Sequence, residues 1–223
     1  MRCLRRRHLK TLVLMKTLLI LTGPQGSGNH LFSKIFAATD TVYGWKDLNT
    51  TYWVPHDKEP FADAWNSPSL LQDVKFDEYA VTSISCPYAY HGQTVEPDYN
   101  TFILTAKDLG YQVQLAIIGR DQTVLQHQQE RVRGTHSLPR FMRHVDNLLE
   151  LNPVFLSTEL LYLYRMNYVR SLRSLLDFPI NITEEKLEEI LVIDPNSKYF
   201  APIGDQPLDS YVRTVSGLNN INR

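Results

Sequence analysis

Short apolar runs alternate with amphipathic stretches along most of the chain. Four runs have the length and composition of buried strands, namely Thr17–Thr22, Tyr79–Cys86, Gln112–Ile118 and Val154–Ser157. Helical spacing of apolar residues predicts helices over Leu31–Ala38, Tyr99–Leu109, Gln122–Arg133, Leu138–Glu150, Glu159–Leu176 and from Thr183 to about Leu191. Strands separated by helices favour an α/β fold, in which a parallel sheet forms the middle of three layers and helices cover both faces.

Local signals mark several ends of these elements. Asp98 precedes the second helix as an N-cap, and Gly110 follows it as a stop. Thr183 opens a sequence typical of a capping box. Residues 39–70 are rich in aromatic, Pro, Asp and Asn residues, and we expect a long irregular segment there.

The N-terminus has the outline of a secretion signal, with a basic stretch followed by an apolar one. Lys16 interrupts the apolar stretch, and the chain then enters a glycine-rich turn instead of a cleavage site. We therefore expect a cytoplasmic protein without a membrane segment, in which residues 1–14 are a disordered extension. Residues 15–223 are expected to form a single domain.

Composition narrows the functional classes. The net charge of −1 argues against a protein that coats nucleic acid, and two cysteines exclude a disulfide framework and a zinc site built from cysteines. Residues 120–173 carry eight Arg, no Lys and five acidic residues. Arginine without lysine suits bidentate binding of phosphate or sulfate, although solvated arginines on helices would look the same.

The glycine turn between the first strand and the first helix carries the clearest chemistry. Residues 23–30 read Gly-Pro-Gln-Gly-Ser-Gly-Asn-His, so backbone N–H groups can surround an anion at the helix N-terminus. Gly23 and Gly28 have the spacing of a nucleotide-binding P-loop. Asn29 stands where such loops carry Lys, and His30 where they carry the Mg²⁺-binding Ser or Thr.

At this point the chain resembles the sulfotransferases, a family with a P-loop NTPase-like fold. Ser27-Gly28-Asn29-His30-Leu31 is similar to the family's first loop. Residues 116–122, which end a strand in Arg120, are similar to its second signature, and Gln128 falls where the family has Ser. Residues 155–161 and 175–179 are weaker likenesses in the same order.

The resemblance implies a donor, 3′-phosphoadenosine 5′-phosphosulfate, and no metal. Arg120 and Gln128 would bind its 3′-phosphate, and His91 or His30 would serve catalysis. The phosphosulfate would lie over the N–H groups of the loop residues Gly26, Ser27, Gly28, Asn29 and His30. The acceptor would be a hydroxyl of a small molecule or carbohydrate, without a nucleic acid or membrane partner.

The chain departs from the family where Gly26 replaces a Lys or Arg and Gln128 replaces Ser. The missing cation could come from Arg131, Arg133, Arg140 or Arg143. Three other hypotheses stay open: a nucleotide kinase with a degenerate loop, a binding protein without catalysis on the same fold, and an unrelated α/β domain. Aromatic residues between 43 and 65 could stack on an acceptor or form local core, namely Tyr43, Trp45, Tyr52, Trp53, Phe61 and Trp65.

Overall fold

The computed structural model of the chain describes residues 15–50, 54–134 and 136–194. The predicted extension 1–14 and the end of the predicted domain, 195–223, lie outside these residues. The strands are β1 Thr17–Pro24, β2 Val42–Tyr43, β3 Tyr79–Cys86, β4 Tyr88–Tyr90, β5 Gln93–Val95, β6 Gln112–Gly119 and β7 Val154–Ser157. The helices are α1 Asn29–Ala37, α2 Ala62–Asn66, α3 Tyr99–Asp108, α4 Gln122–Arg133, α5 Leu138–Leu149, α6 Thr158–Tyr164, α7 Met166–Leu175 and α8 Glu184–Ile193.

Five of these strands form one parallel sheet in the order β2-β3-β1-β6-β7. β1 is central, and all eight of its residues are buried. The predicted α/β class and all four predicted strands are therefore confirmed. A run of four consecutive large apolar residues, Leu18 to Leu21, needs cover on both faces, which explains why β1 occupies the middle of the sheet.

Helices cover both faces of the sheet and form two apolar cores. Leu19 and Leu21 of β1 face the core that contains residues of α1, α6, α7 and α8. Leu18 and Ile20 face the opposite core, which contains residues of α2, α3 and α5. This alternation along β1 confirms the predicted arrangement of three layers.

The predicted helix termini are confirmed at two capping residues. The Asp98 carboxylate accepts a hydrogen bond from the N–H of Thr101, and the Thr183 hydroxyl accepts one from the N–H of Lys186. The third helical position after Thr183 is Lys186, so the reciprocal bond of a full capping box has no Glu to make it.

The fold differs from the sequence prediction in three places. The helix expected over Glu159–Leu176 is two helices, because Arg165 adopts φ 47° and ψ −124°. Residues 39–70, expected to be irregular, contain β2, α2 and short 3₁₀ turns. After β3, a hairpin of the antiparallel strands β4 and β5 follows a cis Cys86–Pro87 peptide.

The connections define a crevice at the carboxyl edge of the sheet. From β1 the chain passes through α1 to β2 at one end of the sheet, and from β6 it passes through α4 and α5 to β7 at the other end. Ligands of open parallel sheets bind where two neighbouring strands send the chain in opposite directions. Here that position lies between the ends of β1 and β6.

Among the described helices, none is both long and apolar enough to cross a lipid bilayer.

Candidate anion-binding site

The glycine turn lies at this crevice and has the backbone conformation that an anion-binding loop needs. Gly26 has φ 87° and Gly28 has φ 118°, both in the region that favours glycine. Gly28 caps α1, and the N–H of Ser27 donates to the carbonyl of Pro24 at 3.1 Å. The predicted order of buried strand, turn and helix N-terminus is confirmed.

Three consecutive carbonyls of the turn are held from outside by side chains. Gln129 Nε2 donates to Gln25 O at 2.5 Å, and Arg120 Nη1 donates to Gly26 O at 2.8 Å. Thr158 Oγ1 donates to Ser27 O at 2.5 Å. Because the C=O and N–H of a trans peptide point in opposite directions, the N–H groups that follow these carbonyls turn to the other side. Because the Ser27 N–H already donates to Pro24 O, the backbone donors that this arrangement leaves for an anion are the N–H groups of Gly26 and Gly28.

Two side chains of the turn keep polar atoms unpartnered in the part of the chain that the structure describes. They are Ser27 Oγ and both amide atoms of Asn29, and the two residues are 0% and 6% exposed. Buried polar groups normally have hydrogen-bond partners, so these atoms destabilise the folded state unless a ligand or water bonds to them. A hydroxyl and an amide N–H are suitable donors to the oxygens of a tetrahedral anion.

Arg120 and Gln128, for which the resemblance predicts contact with a 3′-phosphate, both lie beside Gly26 of the turn. Arg120 follows β6, is only 4% exposed, and donates through Nη1 to Gln128 Oε1 at 2.6 Å as well as to the carbonyl of Gly26. The Nη1 edge of the guanidinium therefore supports the loop. Contact of Arg120 with a 3′-phosphate remains a prediction.

Buried charged and polar groups connect α1 with α6 and with the residue that follows α8. Lys34 is buried in this helix, where desolvation lowers the pKa of its amine and the carboxylate of Asp194 opposes that shift. The hydroxyl of Tyr162 donates to Asp194 at 2.8 Å, and burial raises the pKa of this phenol. The sequence pattern alone did not distinguish Lys34 from a surface lysine.

The two predicted catalytic histidines occupy different places. His30 lies in the first turn of α1, with Nε2 3.0 Å from Val54 O and its ring 5.0 Å from that of Trp45. His91 lies in the turn between β4 and β5. Its side chain is 69% exposed, and its backbone N–H donates to Asp57 Oδ1 at 3.0 Å. Of the two histidines, only His30 belongs to the glycine turn.

Arg140 and Arg143, two of the arginines proposed to replace the missing cation, face Glu96 instead. Arg143 Nη2 lies 2.5 Å and Arg140 Nε 3.8 Å from Glu96 Oε1. The side chains of Arg131 and Arg133 lie outside the described part. Glu96 also borders a cavity of about 310 Å³ that lies between α3 and α5 and shares no lining residue with the turn.

This cavity is linked to the loop by one buried hydrogen bond. Tyr99, which lines the cavity, has its hydroxyl 2.6 Å from Thr22 Oγ1, one residue before the glycine turn. The cavity is mostly lined by surface residues, whereas the turn combines burial, fixed donors and unpartnered atoms. We therefore place the candidate site at the turn.

Replacing Gly28 by alanine should disturb the loop. A Cβ at this position would lie 2.7 Å from Thr158 Oγ1, and φ 118° is unfavourable for an L-residue. We expect a loss of about 1–3 kcal/mol in the free energy of unfolding, measured by urea denaturation. Gly92→Ala is the control, because its φ is also positive but no atom lies within 4 Å of the added Cβ. Equal losses would show that the close approach to Thr158 costs nothing.

A search of protein-family models, curated proteins and solved structures found no match to this chain. Over the described ranges, no group of three or more His, Cys, Asp or Glu side chains could hold a metal ion.

Proposed function

We propose that this protein binds 3′-phosphoadenosine 5′-phosphosulfate at the glycine turn and transfers its sulfuryl group to a hydroxyl of a small molecule or carbohydrate. The observation that carries this proposal is the turn itself. Its outer carbonyls are held by three side chains, and the buried donors of Ser27 and Asn29 have no partner among the described residues. A turn between the central strand and a helix also supports a P-loop NTPase-like fold.

The chemistry of the loop favours a phosphosulfate over a magnesium nucleotide. Asn29 is a neutral amide at the position where P-loops carry a cation. His30, at the position of the Mg²⁺-binding hydroxyl, lies against Trp45 and the Val54 carbonyl. These side chains offer hydrogen-bond donors, without the charge and hydroxyl that hold a metal-bound triphosphate.

The residues present fit the donor molecule. The N–H groups of Gly26 and Gly28, with Ser27 Oγ and Asn29 Nδ2, would hold the phosphosulfate, and Arg120 with Gln128 would lie towards the 3′-phosphate. The donor supplies an activated sulfuryl group. The protein's part is to bind the leaving phosphate with fixed donors, which stabilises the charge that develops there, and to take up the proton of the acceptor hydroxyl, for which His30 or His91 would be the base.

Titration calorimetry distinguishes a sulfotransferase from a nucleotide kinase and from a binding protein without catalysis. We expect 3′-phosphoadenosine 5′-phosphate to bind in the absence of metal, and ATP to bind more weakly with or without Mg²⁺. Tight binding of ATP that requires Mg²⁺ would instead support the hypothesis that the protein is a nucleotide kinase. Binding of the first ligand without sulfuryl transfer to any hydroxyl acceptor would support the binding protein without catalysis.

Replacing Ser27 by alanine tests the loop directly. We expect affinity for 3′-phosphoadenosine 5′-phosphate to fall by about 1.5–3 kcal/mol, because one hydrogen bond to a charged group is lost. Ser33→Ala is the matched control, since this buried serine of α1 donates to Asn29 O at 2.8 Å and has its partner already. If both variants bind equally well, the Ser27 hydroxyl is not a ligand of the anion.

A further inference from the structure

Buried polar atoms without a hydrogen-bond partner also occur beside the loop, among the neighbouring rings of His30, Trp45, His56 and Tyr88. Within the described residues, Trp45 Nε1 and His56 Nδ1 also have no hydrogen-bond partner. The two residues are 2% and 7% exposed. Together with Ser27 and Asn29, they place four residues with unsatisfied polar atoms in one region, which is unusual for a core that has no ligand.

Hydrogen bonding at His56 defines the role of each of its ring nitrogens. His56 Nε2 lies 2.7 Å from Ser83 O. A carbonyl can only accept, so Nε2 carries the proton and Nδ1 presents a lone pair. Burial lowers the pKa of this imidazole to about 4, so the ring is neutral at pH 7. His56 Nδ1 is therefore a buried acceptor, and the indole N–H of Trp45 is a buried donor.

The rings connect these two atoms to the loop. The His30 and Trp45 rings lie 5.0 Å apart, and the Trp45 and His56 rings lie 5.8 Å apart at an angle of 72°. Tyr88 continues the row at 5.6 Å from His56. His30 follows Asn29 in the first turn of α1 and is only partly buried. The row thus runs from the edge of the anion site to the buried donor and acceptor.

We propose that Trp45 and His56 form a hydroxyl-binding subsite beside the loop. A hydroxyl both donates and accepts, so one such group complements the lone pair on His56 Nδ1 and the N–H of Trp45 Nε1. The aromatic neighbours favour a hydroxyl carried by a ring with an apolar face, such as a phenol or a pyranose. That this hydroxyl is the sulfuryl acceptor rests on the proposed function, whereas the binding of a hydroxyl compound does not.

Nuclear magnetic resonance of the ¹⁵N-labelled full chain can test the subsite at pH 7. The indole N–H signal of Trp45 is followed by sequential assignment while phenol or methyl β-glucoside is added, with anisole as the probe that lacks the hydroxyl. We expect the Trp45 signal to shift with one or both hydroxyl compounds and not with anisole. The Trp65 indole N–H, which already donates to Thr82 Oγ1 at 2.9 Å, should not shift.

Affinity measurements give a second readout. We expect Trp45→Phe to weaken binding of the active probe about fivefold, the effect of one lost hydrogen bond, whereas Trp65→Phe leaves it unchanged. If Trp45→Phe does not fold, the titration of the wild-type chain decides alone.

The possible outcomes distinguish failure of the hydroxyl-binding subsite from failure of the proposed function. An unchanged Trp45 signal, or an equal shift with anisole, would overturn the subsite and leave water as the partner of both atoms. Failure of 3′-phosphoadenosine 5′-phosphate to bind, with a selective shift by phenol or glucoside, would overturn the proposed function and keep the hydroxyl site.

Discussion

Replacing Arg120 by alanine is expected to weaken binding of 3′-phosphoadenosine 5′-phosphate by roughly 2–4 kcal/mol, as for a lost partner of a buried charged pair. Binding of adenosine 5′-phosphosulfate, which lacks the 3′-phosphate, should weaken by only about 1 kcal/mol. That smaller loss reflects the bond from Arg120 to Gly26 O, which supports the loop for both ligands. The difference between the two losses, measured by calorimetry, isolates the 3′-phosphate contact.

The same variant will also lower stability, and this has to be separated from binding. Removing Arg120 leaves Gly26 O and Gln128 Oε1 without this donor, which we expect to cost about 1–3 kcal/mol in the free energy of unfolding. Arg170→Ala is the control, because this exposed arginine bonds to Asn167 on α7. Equal losses for the two ligands would mean that Arg120 only supports the loop and does not clamp the 3′-phosphate.

The framework around the site was predictable because it depends on local signals. β1 is a run of apolar residues that must be covered on both faces, and the glycines that follow it can take a positive φ. Arg120 ends an apolar strand, so its place at the carboxyl edge follows from the parallel sheet. These features need only periodicity and residue type.

The groups that hold the loop were not predictable in the same way. Gln129 and Thr158 reach the carbonyls of residues 104 and 131 positions earlier in the chain, and no local pattern signals such a contact. Thr158 lies within residues 155–161, one of the weaker likenesses on which the predicted resemblance rests, and Gln129 is adjacent to Gln128. The predictions therefore came close to both residues without assigning them a role.

Two further features escaped prediction because tertiary contacts override the local pattern. The apolar spacing over Glu159–Leu176 suits a single helix, but Arg165 breaks it where its side chain reaches Glu188 of α8 at 2.8 Å. From the sequence, Trp45 and Trp65 suit either stacking on an acceptor or local core. Trp65 stacks on Phe102 at 3.7 Å in the core, whereas Trp45 adjoins His30, and Tyr52 and Trp53 lie outside the described residues.

Glu59 is a buried carboxyl that covers the open edge of β3. β2 pairs with only the first two residues of β3, and farther along the strand Glu59 Oε1 accepts from Ser83 N at 3.3 Å and Thr82 Oγ1 at 2.9 Å. Glu59 Oε2 accepts from Phe61 N at 2.7 Å. These donors lower the pKa of Glu59, but burial outweighs them and raises it to about 8.

This pKa predicts a fall in stability with rising pH. Between pH 4.5 and 8 the unfolded chain has lost the Glu59 proton while the folded chain still holds it, so the free energy of unfolding decreases as pH rises. His56 acts in the opposite direction. Its pKa is lowered from 6.5 to about 4, so its contribution to stability is present above pH 6.5 and is lost as pH falls towards 4.

Glu59→Gln removes the first effect and retains the second. Relative to this variant, the wild-type free energy of unfolding should fall by roughly 4 kcal/mol between pH 5 and pH 8, at about 1.4 kcal/mol per pH unit. Urea denaturation at several pH values measures the difference, in which the contribution of His56 cancels. Glu150→Gln, which removes an exposed carboxylate after α5, should keep the pH dependence of the wild type. A constant difference between wild type and Glu59→Gln would show that Glu59 is ionised in the folded protein, with its three donors outweighing burial.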